Sequence, residues 1–302
     1  MMRKKGSLQR SPWPMVAVFL LPSFIGFLVF LAIPMFATVG ISMTNFSGGP
    51  RYDFIGFANY INAFRSVAFR NTLLTTFNFT FWTVILQLSL GLAFAMLLNK
   101  KMFGRNFSRG VMFLPNVLSS VAVALVFSLI FDPRQGPVNQ YLLALGLPAP
   151  EWLAGLHSAL PTIIMITVWQ SFGYYMVLFL GGLQTISSSL YEAADIDGAG
   201  PVRRFLSITL PGLSPIIFFA VTIAIIRGFQ VFDLIFVMTG GQHGGGPAGA
   251  TTVMVFSIYR NAFSQFRFGF AAAESVVLLA VVLLVTIIQQ RGQKRWVSYD
   301  VV

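Results

Sequence analysis

Three long stretches of this chain carry no charged residue: none lies between Arg10 and Arg51, none between Arg70 and Lys100, and none between Arg109 and Asp132. A helix that crosses a bilayer needs about 20 such residues, because hydrocarbon offers no water to its backbone and every N–H and C=O must pair inside the segment. Only 10% of the residues are charged, against roughly 25% in soluble domains, and the mean hydropathy is +0.77. A water-soluble globule is thereby excluded. An outer-membrane barrel would show alternating segments of ~10 residues, and the sequence has none. With no cysteine in the chain, disulfides, thiolate metal sites and cysteine nucleophiles are excluded as well. The expected fold class is an all-α integral membrane protein.

Six spans are expected, at about 15–41, 72–98, 111–131, 159–183, 213–239 and 270–290. The basic residues sort by side. Arg3, Lys4, Lys5 and Arg10 precede span one, and Lys100, Lys101, Arg105 and Arg109 follow span two. Arg203 and Arg204 follow span four, and Arg291, Lys294 and Arg295 follow span six. The opposite side holds only Arg51, Arg65, Arg70, Arg134, Arg260 and Arg267. The positive-inside rule makes the richer side cytoplasmic. The chain then divides into a cytoplasmic tail 1–14, a multi-pass transmembrane domain 15–290 with a large cytoplasmic loop at 187–211, and a cytoplasmic tail 291–302. The net charge of +11 reflects this orientation, so no nucleic-acid partner is expected. The first apolar block exceeds the 7–15 residues of a signal-peptide core and lacks a small-residue cleavage site. It is expected to stay as span one, kinked near Pro34. The aromatic segment Phe54–Arg70 reads as an external helix lying in the interface.

Reaction chemistry is sparse. The two histidines, His157 and His243, fall in expected external loops, and neither a zinc-protease nor a serine-hydrolase motif occurs. The glycine run at 240–246 is no phosphate loop, since no Lys-Ser or Lys-Thr follows it. Of nine acidic residues, only Asp233 and Glu274 lie in or near a span. No metal or cofactor bound by this chain is expected. Transport suits the sequence better than catalysis inside the membrane. Without a nucleotide motif, uphill transport draws on an ion gradient or on another subunit. An ion-coupled carrier would need ion ligands at a helix break, and the sequence displays none.

The loop at 187–211 is the most informative stretch. Ser189 and Glu192 have the spacing of a capping box, Ala193 and Ala194 favour a slim helix, and Gly198 and Gly200 are expected to end it. Pro201 suits the first turn of a second helix running through Arg203 and Arg204 to Leu210-Pro211. A capping box alone is compatible with an ordinary capped loop. The full spacing, Glu192-Ala193-Ala194, then Gly198, then Ile208 and Leu210-Pro211, resembles the EAA motif of binding-protein-dependent ABC importer permeases. Phe54–Tyr60, Phe113–Asn116, Phe232–Gly241 and Tyr259–Phe263 resemble the carbohydrate-uptake branch, its maltose-type and glycerol-3-phosphate-type members in particular. Gln242 and His243 depart from that branch, where Thr239-Gly240-Gly241 would continue more directly into Gly-Pro.

The resemblance implies a six-span permease of the MetI-like fold with a cytoplasmic coupling helix, set in a bacterial inner membrane. It implies a second homologous permease, a homodimeric pair of ATP-binding subunits that hold ATP and magnesium, and an extracytoplasmic solute-binding protein. The coupling contact would comprise Glu192, Ala193, Ala194, Asp197 and Gly198, with Arg203 and Arg204 on the flank. In span four, Thr167, Gln170, Ser171 and Tyr174 recur at spacings of three and four and share a helix face. Such a stripe serves either helix–helix hydrogen bonding or a solute path, and the resemblance implies the latter. Arg227, with Gln230 one turn on, falls where related permeases place a sugar-contacting side chain. A charge there costs at least ~2.5–3.5 kcal/mol on insertion scales, so it needs a partner. Two are open: Glu274 in an ion pair, or an anionic group on the solute.

Overall fold

The computed structural model describes residues 13–100 and 102–296. The basic residues Arg3, Lys4, Lys5, Arg10 and Lys101 lie outside that set. Among the described residues the chain is helical throughout. Span one is α1 (Trp13–Phe27) and α2 (Ile33–Ser42), joined by a π-helical turn at Leu28–Ala32. The expected disturbance at Pro34 takes this form. A proline clashes with the carbonyl four residues before it, and the widened turn, closed by Ile33 N–H on the Leu28 carbonyl, makes room without breaking the rod.

Next come the short outer helix α3 (Ala58–Arg65) and α4 (Val67–Asn99), whose first turn is capped by the Ser66 hydroxyl. α3 buries Asn59 and Ala63 and leaves Ile61 and Phe64 exposed, as is Phe57 at its N-cap. The 33 residues of α4 make a rod of about 50 Å, longer than the bilayer core. One side of it is a polar seam of Thr72, Thr76, Thr80, Thr83 and Gln87, all buried. Thr76 bonds the Thr72 carbonyl (2.7 Å) and accepts the Met254 amide (2.9 Å).

The third expected span, 111–131, is not a single rod. α5 (Arg105–Val117) and α6 (Ser120–Ile130) meet at 95°. Pro115, near the end of α5, has no N–H, and Leu118 and Ser119 turn extended. Among the described residues, five helices are long and apolar enough to cross a membrane, or six when this bent pair counts as one. α7 (Pro137–Ala144) precedes α8 (Ala159–Leu183), the most buried of the five.

The loop at 187–211 forms α9 (Ser188–Ile196) and α10 (Pro201–Arg204), followed by a second π turn, Phe205–Thr209. α11 (Leu210–Gly212) then leads into α12 (Ser214–Phe229). Span five continues as α13 (Asp233–Met238) after a break at residues 230–232, where Phe232 leaves the helical region. α14 (Met254–Tyr259), a third π turn at Arg260–Ser264 and α15 (Phe268–Trp296) complete the chain.

The core forms where α4, α5, α8 and α12 cross. Glycines bring their backbones together, as in many membrane bundles. A Cβ on Gly173 would stand 2.0 Å from the Met112 carbonyl oxygen, and one on Gly91 would stand 2.9 Å from Tyr175 Cβ. Around these crossings lie Ala95, Leu98, Tyr175, Met176, Phe179 and Leu183, all buried.

Candidate functional site

Two regions of the chain carry its chemistry, and span five joins them. The first is the polar stripe of α8. Thr167 bonds back to the Ile163 carbonyl at 2.7 Å. The Ser171 hydroxyl is shared between the Thr167 carbonyl (2.6 Å) and Gln87 Oε1 on α4 (2.7 Å). Tyr174 lies beneath Arg227, whose guanidinium carbon stands 4.8 Å from the ring centroid. The attraction is that of a cation for the ring face, ~0.5–2 kcal/mol according to desolvation. Arg227 and Gln230 are both exposed on the isolated chain. They occupy the last turn and the C-cap of α12, where the unpaired carbonyls of the helix end favour a cation. Asp233 opens α13 across the break and is exposed too.

Across the junction of α8 and α12 the structure brings Tyr174 and Arg227 together; Thr167 and Ser171 share the Tyr174 face of α8, and Gln230 is the C-cap that follows Arg227. Gln170 leaves the set. It is buried, and its amide donates to the Leu118 carbonyl (3.3 Å) and Ser120 Oγ (3.4 Å), satisfying the bend between α5 and α6. Gln87 joins in its place; its signal was a lone amide continuing the threonine seam of α4. The broken span also departs from the sequence expectation, for Gln230 to Phe232 contain neither glycine nor proline.

Glu274 does not neutralise Arg227. It is 1% exposed, and its two carboxylate oxygens accept from Ser257 Oγ and Asn261 Nδ2, both at 2.9 Å. The carboxylate lies at the edge of a 260 Å³ polar cavity with Arg260 and Arg267, away from α8. A cavity of 770 Å³ runs along α4 and α8 between Trp82, Leu90, Phe94, Val168, Trp169 and Phe172. Its walls suit hydrocarbon, and a polyol would find few hydrogen-bond partners there.

The second region is α9. Its N-cap is Ser187, whose hydroxyl accepts the Ser189 amide, so the Ser189–Glu192 capping box does not form. The C-terminus is as expected at Gly198, which has φ +69°. Gly198 N–H bonds the Asp195 carbonyl and Ala199 N–H the Ala194 carbonyl, which together make a Schellman ending. Gly200 is the extended N-cap of α10 instead of a helix stop. Glu192, Ala193, Asp197, Gly198 and Arg203 are exposed, whereas Ala194 is buried against the body. Arg204 pairs with Asp195, the only ion pair among the described residues. Ile196 is 87% and Val202 70% exposed. These two bare aliphatic side chains lie beside Glu192 and Asp197, and no local pattern in the sequence singles them out.

Residues 87–298 match the family described as "Binding-protein-dependent transport system inner membrane component". The arabinooligosaccharide transport permease AraP of Bacillus subtilis (strain 168) is 33% identical over 273 residues, covering 90% of this chain and 86% of that protein. The sn-glycerol-3-phosphate transport permease UgpA of Yersinia pestis is 33% identical over 250 residues, covering 82% and 83%. In a crystal structure of a bacterial ABC transporter that imports the acidic polysaccharide alginate, one chain superposes with a TM-score of 0.78 at 26% identity, covering 92% of this chain and 95% of that one. The match runs from the middle of α4 past the end of α15 and takes in both the α8–α12 junction and α9, so the chain belongs to the family of binding-protein-dependent inner-membrane permeases of ABC importers.

Proposed function

We propose that the chain forms one half of the translocation path of an importer for sugars or sugar-like solutes that carry an anionic group. A second, similar permease supplies the other half. A homodimeric ATPase holding ATP and magnesium docks on α9, and an extracytoplasmic binding protein delivers the solute. Both termini and α9 face the cytoplasm, as the excess of basic residues at that end requires. The solute crosses by alternating access: closure of the ATPase pair displaces α9, and the spans reorient around a site at the α8–α12 junction. This chain makes and breaks no bond.

The observation that carries the reading is the exposed face of α9, capped at both ends and continuous through α10 and α11 with the span that holds Arg227. Among the described residues Arg227 has no carboxylate partner, and its planar fork suits a carboxylate or phosphate. UgpA transports sn-glycerol 3-phosphate and the alginate importer an acidic polysaccharide, which supports an anionic cargo; AraP handles arabinooligosaccharides.

The test is Gly198→Trp in the intact complex. A bulky residue at φ +69° deforms the docking end of α9 while the spans remain inserted. Uptake of sn-glycerol 3-phosphate and of uronate oligosaccharides, compared with neutral sugars, is expected to fall at least about tenfold, with normal amounts of permease in the membrane. Uptake and ATP hydrolysis at the parental level would remove the docking assignment, and efficient uptake of neutral sugars alone would remove the anionic cargo.

A further inference from the structure

α9 touches the helical rod below span five at two points, and both lie on one side of the helix. The Tyr191 hydroxyl meets Thr209 Oγ1 at 3.0 Å, and the Asp195 carboxylate pairs with Arg204. Tyr191 and Asp195 are four residues apart, hence one above the other. Their partners stand at the two ends of the π turn Phe205–Thr209. Thr209 is buried, while Asp195 and Arg204 are 59% and 32% exposed. From Pro201 the backbone stays close to helical through α10, the π turn and α11, with a short turn at Leu213 before α12. The far end of that rod holds Arg227 and Gln230, about 40 Å away at the helical rise.

A widened turn is the weakest place in such a rod, since its hydrogen bonds are fewer and less regular than those of the α-helix. A push on α10 alone would be absorbed there by bending. The two contacts fall at the two ends of the turn, on Arg204 just before it and on Thr209, its last residue, so α9 bears on the rod at both limits of its soft point. We infer that Tyr191 and Asp195 are positioning residues that make α9 and the base of span five move as one body, and so carry the displacement of the docking helix to Arg227. This rests on the assignment of α9 as the ATPase contact. An exposed ion pair contributes little to stability. Its use here is to fix direction, with the hydrogen bond to buried Thr209 as the second anchor.

The experiment uses the whole complex in proteoliposomes, with magnesium-ATP and orthovanadate as the probe. The chain has no cysteine, so Thr167→Cys provides a single reporter in it for a membrane-impermeant maleimide. In the parent, trapping is expected to change the labelling rate about fivefold or more. In Tyr191→Phe/Asp195→Asn, ATP hydrolysis should stay within about twofold of the parent while more than half of the labelling change is lost. Asp195→Arg and Arg204→Asp should each lose it, and the two combined should restore it, an outcome that a merely structural tie does not predict. Labelling in the Tyr191/Asp195 variant that responds as in the parent, or a reversed pair no better than its single members, would overturn the inference. A parental complex in which trapping leaves labelling unchanged would overturn the docking assignment itself.

Discussion

At the residue scale the decisive observation is how two intramembrane charges are accommodated. Glu274 is closed off by Ser257 and Asn261, whereas Arg227 leans on the Tyr174 ring with its fork paired to no carboxylate among the described residues. The two residues therefore answer differently to substitution. In Glu274→Gln the new NH₂ faces one of two donors, so a buried donor loses its acceptor at a cost of ~1–3 kcal/mol. Thermal unfolding of the detergent-solubilised complex should register this as a lower midpoint, without a change in solute preference. Arg227→Lys keeps the charge but loses the planar fork and the fit to the ring. Uptake of an anionic solute should fall about tenfold, with the amount of complex and its unfolding midpoint unchanged. If Arg227→Lys lowered the midpoint as far as Glu274→Gln does, Arg227 would be a structural residue.

At the scale of elements, two of the three π turns precede prolines, at Pro34 and Pro211, and the widened turn stands where an α-helix would meet the proline ring. Glycines do the opposite work and draw helices together. Gly173 admits the α5 backbone to the wall of α8, with the Met112 carbonyl oxygen 2.0 Å from where a Cβ would sit. Gly173→Ala must push the helices apart, and overpacking of this kind costs about 1–3 kcal/mol. A lower unfolding midpoint is the expected result. Because the same crossing holds the α5–α6 bend on which Gln170 is spent, the variant should also alter access to Ser171. An unchanged midpoint would mean that α5 can slide along α8.

Over the whole molecule, the proposed orientation assigns α9 to the cytoplasmic side and the loop after span one to the outer side. On the proposed topology Ile196 and Tyr52 stand at opposite ends of the spans, and both residues are exposed. Single cysteines at these positions, in a chain that has none, should be labelled by an impermeant maleimide from the cytoplasmic side at residue 196 and from the outer side at residue 52. Labelling in the reverse sense would invert the topology and place the docking helix away from any cytoplasmic ATPase. Span one is buried over only 6% of its apolar window and packs on α15 at α2. Most of its surface is thus available to lipid and to a second permease.

The membrane class, the number of apolar segments and the location of α9 were legible in the sequence, because each depends on residues adjacent along the chain. Charge-free runs longer than a bilayer can only be spans, and Gly198 ends a helix wherever it folds, since its left-handed φ is cheap for glycine alone. Even so, local signals left choices open. Three consecutive serines, 187 to 189, offered the same hydroxyl to the same helix end, and packing of Ala194 against the body went with Ser187. What crosses between segments was decided by tertiary structure. The stripe on α8 is visible as a period of three and four, but whether Gln170 faces a solute or a bent backbone depends on where α5 lies, 50 residues upstream. Glu274 was available to any cation until Ser257 and Asn261 were packed against it. Arg227 was bound to be costly from the sequence alone; only the fold, by closing Glu274 off with Ser257 and Asn261 and ending α12 at residue 229, left it without a carboxylate partner among the described residues.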